Sequence, residues 1–132
     1  MPVTFEIREN DYVAYYVLSD PWEAHDLSAL YPQDILFRNS VDHVVHTFMN
    51  VSAVRRVPPN VIHVRIGAPA FIHPNSGQLV MVGAQSFPKM MAETIFRLAH
   101  YQRARFFDTE ADGWEYTRQL IKNEVYELAS VE

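Results

Sequence analysis

The chain has 132 residues, the size of one domain with one core, enough to bury roughly two thirds of the surface an unfolded chain exposes. Hydrophobic residues make up 48% and charged residues 20%, and the net charge of -5 gives no basic footprint for nucleic acid or anionic lipid. There is no cysteine, which excludes disulfides, thiolate metal sites and cysteine nucleophiles and fits a reducing cytoplasm.

The opening residues, MPVTFEIREN, carry charges where a secretory leader needs an apolar core of about 7 to 15 residues, and no run approaches the roughly 20 apolar residues of a membrane span. The expectation is a cytoplasmic protein without membrane insertion. No repeat, low-complexity tract or Gly/Ser linker interrupts the chain, so residues 1–132 read as a single domain.

TFEIR alternates Phe5 and Ile7 with polar residues, END is a turn, and YVAYYVL is rich in aromatic and β-branched side chains, which together predict an N-terminal β-hairpin. In SDPWE, Asp20 stands where a helix cap belongs, Pro21 where a missing N–H costs nothing, and Glu23 completes a capping box. The helix so opened buries Trp22, Leu27, Leu30 and Tyr31. Pro32 clashes with the carbonyl of Ser28 and disfavours helix at Tyr31, so a break is expected there, with QDILFR as a second short turn or helix.

HVVHTFMNV is apolar on both faces, as a central strand covered on two sides must be. Between it and the turn HPNSG, the pattern is ambiguous. Ile62, Val64 and Ile66 alternate like a strand, whereas Val61, Val64, Ala68 and Phe71 share a helical face; a helix over 61–72 is preferred because it would cover the sheet. QLVMVG is a further strand, and Ser86 caps a helix whose Phe87, Met91, Ile95 and Leu98 make one stripe. RARFF is the last strand. The final helix opens with Thr109 as cap and Asp112 three residues on, and aligns Trp114, Thr117, Ile121, Val125 and Leu128, with Gly113 weakening its first turn by about 1 kcal/mol relative to alanine. The order ββαβαβαβα implies an α/β fold with a mixed sheet: a hairpin first, then alternating helices and parallel strands.

Several short stretches carry a resemblance: DPWE at the first helix, VPPN after the central strand, HPNSGQLVMVGAQSF entering the next strand and helix, and FFDTEADGWEYTRQLI near the end. With this order of elements the chain resembles the SpoIIAA-like fold of STAS domains, in particular small stand-alone members found in bacteria, over residues 5 to 122. The resemblance implies a regulatory or protein-interaction module. In the antagonist branch of that family a phosphorylatable serine opens the helix after the central strand. The corresponding stretch here is RRVPPN, Arg55 to Asn60, with prolines and an asparagine at that place, and Ser52 lies too early to take the role.

No catalytic set is visible. VGAQSFPK has one glycine and a lysine beyond a proline, unlike a phosphate loop or a dinucleotide fingerprint, so Gly83 to Ser86 reads as a hinge between strand and helix. His43 and His46 fall on opposite faces of a strand and His25, His63, His73 and His100 on separate elements, so no metal site and no cofactor is expected. Glu93, Glu110, Asp112, Glu115, Glu124 and Glu127 read as solvated faces or caps.

Open α/β sheets bind ligands beyond the carboxyl ends of their parallel strands, which here gathers Asn50, Ser52, Arg55, Arg56, Asn60, Gln85, Ser86 and Asp108, with Thr109 alongside. Adjacent Arg55 and Arg56 suit an acidic partner or anion. Two functions follow as expectations. The first is non-catalytic contact with another protein or with a second copy. The alternative is a small-molecule or lipid carrier or sensor, with a pocket between the sheet and the broken first helix and with Tyr15, Trp22 and Tyr31 near its wall.

Overall fold

The structure is a computed structural model that describes residues 2–61 and 68–131, with side chains through 127. It is an α/β domain. Strands β1 (Val3–Arg8) and β2 (Val13–Ser19) form the expected antiparallel hairpin, turning through Glu9, Asn10 and Asp11, all at positive φ. Strands β3 (Val45–Ala53), β4 (Ser76–Val82) and β5 (Ala104–Phe107) then add in parallel to β2, giving a five-stranded mixed sheet in the order β1-β2-β3-β4-β5. No helix among the described residues is long and apolar enough to cross a membrane.

The helices are α1 (Ala24–Ser28), α2 (Tyr31–Asn39), α3 (Pro69–Ile72), α4 (Ser86–Leu98) and α5 (Glu110–Val131). The strand period of two sorts side chains between the sheet faces. Ala14, Tyr16, Leu18, Val45, Val51, Leu79 and Met81 belong to a core that includes Leu27, Tyr31, Phe37 and Ala70 from α1, α2 and α3, with Ala92 and Phe96 of α4 packed against it. Val13, Tyr15, Phe48, Val80 and Val82 point the other way, into a smaller core closed by Trp114 of α5.

Several boundaries differ from the sequence expectation. Asp20 does not cap the first helix: its Oδ2 accepts the Arg55 N–H at 2.7 Å, tying the end of β2 to the loop after β3. The cap is Glu23, whose N–H donates to Asp26 at 2.8 Å. The chain does break, between Ser28 and Tyr31, but Tyr31 itself is the first residue of α2 and Pro32 the second, inside the first turn where its missing N–H is no loss.

On α4 the cap position is Gln85, not Ser86, and the inward stripe is Pro88, Met91, Ala92, Ile95 and Phe96. Phe87 and Leu98, placed on that stripe by pattern, are 53% and 61% exposed. The helix carries apolar residues around most of its circumference, so periodicity alone could not fix its rotation. The helix expected over 61–72 reduces, among the described residues, to Val61 and the single turn of α3; Ile62, Val64 and Ile66 lie outside the described residues.

Helix α5 follows expectation at its start: Thr109 Oγ1 accepts the Asp112 N–H at 3.2 Å, and Trp114 and Thr117 are buried. A Cβ on Gly113 would lie 2.4 Å from Val82 Cγ1 and 3.0 Å from Phe48, so the glycine is what lets α5 sit down on the sheet. The stripe ends early: Val125 is exposed, and Leu128 lies outside the described side chains.

Candidate functional site

Between the sheet and helices α1 to α4 lies a cavity of about 140 Å³. Tyr16 and Leu18 of β2, Thr47, Met49 and Val51 of β3, and Leu79 and Met81 of β4 form its floor; Leu27, Tyr31, Ala70, Met91, Ala92, Ile95 and Phe96 form its roof. Trp22, Val54, Val57, Val61 and Pro88 line the end beneath the loops that follow the strands. The lining is almost wholly apolar. A dry apolar cavity of about 150 Å³ is large enough to hold benzene.

The polar exception lies at the opposite end, near Thr47. Asp34 and Arg38 are one helical turn apart on α2 and essentially inaccessible to solvent, at 1% and 0% exposure. Arg38 Nε donates to Asp34 Oδ1 at 2.6 Å and one terminal nitrogen to Oδ2 at 3.3 Å; that nitrogen also donates to Thr47 Oγ1 at 2.7 Å. The other terminal nitrogen donates to Ser76 Oγ at 2.8 Å and to the Val45 carbonyl at 3.4 Å. All five guanidinium N–H groups are thus used. Ser76 Oγ in turn donates to the Pro69 carbonyl, so the network pins α2, β3, β4 and α3 together.

The Tyr16 hydroxyl donates to Asp34 Oδ2 at 2.6 Å. Burial, reinforced by the Asp34 charge, holds both Tyr16 and Tyr31 far above the ordinary phenol pKa, so both are neutral hydroxyls. Tyr31 lines the cavity, and no group among the described residues takes up its hydroxyl. Chemically, this end offers neutral hydroxyls beside a carboxylate already held by an arginine. It suits hydrogen bonding to a ligand better than removing a proton from one.

The expected pocket residues divide. Trp22 and Tyr31 line the cavity, and the Trp22 Nε1–H is fixed to the Arg56 carbonyl at 3.1 Å. Tyr15 does not line it. One residue from Tyr16 on a strand, it faces α5, donates its hydroxyl to Glu110 and packs beside the stacked Phe48 and Trp114 rings under the Arg8 guanidinium.

At the rim, Asn50, Ser52 and Gln85 come together. Asn50 Oδ1 accepts the Ser52 N–H at 3.0 Å and its hydroxyl at 2.7 Å, and Gln85 Nε2 reaches the Ser52 carbonyl at 3.4 Å. Gly83, at φ 74, makes this approach possible, because a Cβ there would lie 2.6 Å from Ser52 Cβ. Arg55 and Arg56 enter the rim through their backbones and leave their side chains exposed. Asn60, Ser86 and Asp108 are exposed and share no hydrogen bond with this group.

Carboxylates read as solvated are engaged, Glu110 and Glu124 among them. Glu110 accepts from Tyr15 and from Trp114 Nε1, and Glu124 accepts from His46 Nε2 at 2.7 Å. His46 Nδ1 accepts the Gln78 N–H at 2.9 Å, which makes Nε2 the protonated nitrogen. His43 lies ahead of β3 and stacks on Tyr12, and His63 lies outside the described residues. Among the described residues no group of three or more histidines and carboxylates is placed to hold a metal ion.

Sequence reasoning missed Asp34 and Arg38 altogether. The available signal was their spacing of four on the helix face that also carries Tyr31, next to Thr47 and Ser76 in otherwise apolar strands.

Fold and site together define a small α/β domain built around an apolar cavity with one charge-balanced polar end. No protein-family model, curated protein sequence or solved structure matches this chain.

Proposed function

We propose that this domain binds a small, mostly apolar molecule in the cavity between the sheet and helices α1 to α4, as a carrier or sensor. The observation that carries this is the cavity: about 140 Å³ of almost wholly apolar space between the sheet and the helices, partly open to solvent. Apolar wall left facing water is unfavourable, and a ligand that covers it stabilises the folded state.

The test is a thermal-shift and calorimetric titration with toluene and related small hydrocarbons. The melting temperature is expected to rise by several degrees at saturating ligand and to stay fixed in Ala92→Phe, where the ring occupies the space. A brominated analogue should quench Trp22 and spare Trp114, resolved by Trp22→Phe. Unchanged melting with every hydrocarbon would defeat the proposal.

Kinship with SpoIIAA-like domains belongs to the same proposal, supported by the hairpin-first mixed sheet in sequential order and by the motifs that carry the resemblance. A second reading, contact with another protein, is favoured by Phe87 and Met90, 53% and 55% exposed on the outer side of α4 beside the rim. If it holds, Phe87→Ser with Met90→Ser lowers the association state in sedimentation velocity or abolishes partner capture, and leaves hydrocarbon binding intact.

A further inference from the structure

The polar end of the cavity sets the charge and the hydrogen-bonding class of what can enter. The inference rests on the ligand-binding reading above and specifies its ligand. Arg38 has no N–H left to give: each of its five donors already has an acceptor. Asp34 is matched by that guanidinium, and three of the roughly four lone-pair positions of a carboxylate are filled by Arg38 and Tyr16. Among the described residues, no charge at this end is free to pair with a ligand charge.

A carboxylate entering the cavity would lose its hydration and meet Asp34 with no free cation among the described lining residues to receive it. An ammonium would meet a carboxylate that Arg38 already neutralises. Either one is an ion in an apolar pocket without a partner among the described residues, a costly arrangement.

Three polar functions stay open, one of them the Thr47 hydroxyl, which accepts from Arg38 and has no acceptor of its own among the described residues. Tyr31 lines the cavity, is only 7% exposed, and its hydroxyl has no hydrogen-bond partner among the described residues. Asp34, three residues along the same helix, keeps one accepting position. A donor and an acceptor on one turn of the same helix, both lining the cavity, are what a single hydroxyl needs, since it gives one hydrogen bond and takes another. The rest of the wall, Met49, Met81, Ile95 and Phe96 among it, has nothing to offer but apolar contact.

We infer that the cavity selects an uncharged, compact molecule of about six to ten heavy atoms, a volume close to that of a substituted benzene ring. It carries one hydroxyl, seated between the Tyr31 hydroxyl and the Asp34 carboxylate, and the hydrocarbon body points toward Trp22 and the strand-end loops.

The experiment is calorimetric titration of the full chain with four matched probes: toluene, p-cresol, p-toluate and 4-methylbenzylammonium. Wild type and Tyr31→Phe are compared. That substitution removes a hydroxyl with no intramolecular partner, so it should leave the melting temperature unchanged, which is checked first. If Tyr31→Phe proves unstable, the wild-type ranking of the four probes carries the test alone.

The expected result is that p-cresol binds about threefold to tenfold tighter than toluene, one hydrogen bond's worth. Both charged probes bind at least tenfold weaker than toluene, and the preference for p-cresol disappears in Tyr31→Phe. Equal binding of toluene and p-cresol, a preference that survives in Tyr31→Phe, or tighter binding of either ion would overturn the inference and leave the cavity proposal standing. Failure of both toluene and p-cresol to bind would remove the cavity proposal itself.

Discussion

Tyr15 and Tyr16 are neighbours on β2 and end in two different kinds of interior. Each gives its hydroxyl to a carboxylate from the helix that covers its face, Glu110 of α5 for Tyr15 and Asp34 of α2 for Tyr16. The α5 face is filled: Phe48 and Trp114 stack with centroids 4.1 Å apart, and Gly113 has no room for a methyl group. The α1 to α4 face holds a cavity, and the charged groups among its described residues that reach it, Asp34 and Arg38, are locked in a pair. One long helix lies flush along a sheet, whereas several short helices meeting at breaks leave space between them. The contrast shows how one sheet can divide its work, with stability concentrated on one side and capacity for a guest on the other.

The largest effect expected is at the locked pair. Arg38→Ala leaves Asp34 charged, buried and unmatched, and should cost about 3 to 5 kcal/mol in urea unfolding, whereas Asp34→Leu with Arg38→Met should cost far less. If the single and the double variant lost equal stability, the charge balance assigned to the cavity face would be wrong.

Packing should separate the two faces next. Gly113→Ala gains up to about 1 kcal/mol of helix propensity but drives a methyl into Val82, and a net loss of about 1 to 3 kcal/mol is expected. Ala92→Leu adds bulk on the cavity side and should be neutral or stabilise by up to about 1 kcal/mol. Two variants of equal cost would erase the distinction between a filled face and a hollow one.

The tyrosines give a finer version. Tyr16→Phe strips a donor from a buried carboxylate and should cost about 1 to 2 kcal/mol, with Tyr15→Phe costing less because Glu110 can still reach water.

Alkaline unfolding tests the same groups. Tyr16 and Tyr31 have folded pKa values raised by burial first and by Asp34 second, whereas in the unfolded chain they ionise near about 10. Their contribution is complete below that pH. Above it, the unfolded state releases protons that the folded state keeps, so stability falls as pH rises toward the folded values. Replacing both with phenylalanine should flatten the loss measured between about pH 9 and 11, and an unchanged slope would mean that neither phenol is held neutral in the fold.

Much of the frame could be read from the chain. The hairpin and the parallel strands show in alternating β-branched and aromatic residues, Thr109 announces α5, and Pro32 marks the break between α1 and α2. The pocket aromatics Trp22 and Tyr31 came from that break. What stayed hidden depends on partners far apart in sequence. QDILFR looks like any surface pair of opposite charges, and nothing local says that Thr47, Ser76 and Tyr16 will close around Arg38 and Asp34. Tyr15 was assigned to the wrong face because two adjacent tyrosines on a strand covered on both sides carry no mark of which points where. The rotation of α4 was illegible for a related reason, since Phe87, Met90 and Leu98 are apolar on its solvent side.

The most direct measurement is diffraction from crystals held under xenon, which enters dry apolar cavities and ignores filled ones. A xenon site among Met49, Met81 and Ile95, with nothing bound against Trp114, is the predicted result. Side chains or ordered water occupying that space, with no xenon in it, would contradict the division between the two faces and the ligand-binding proposal that follows from it.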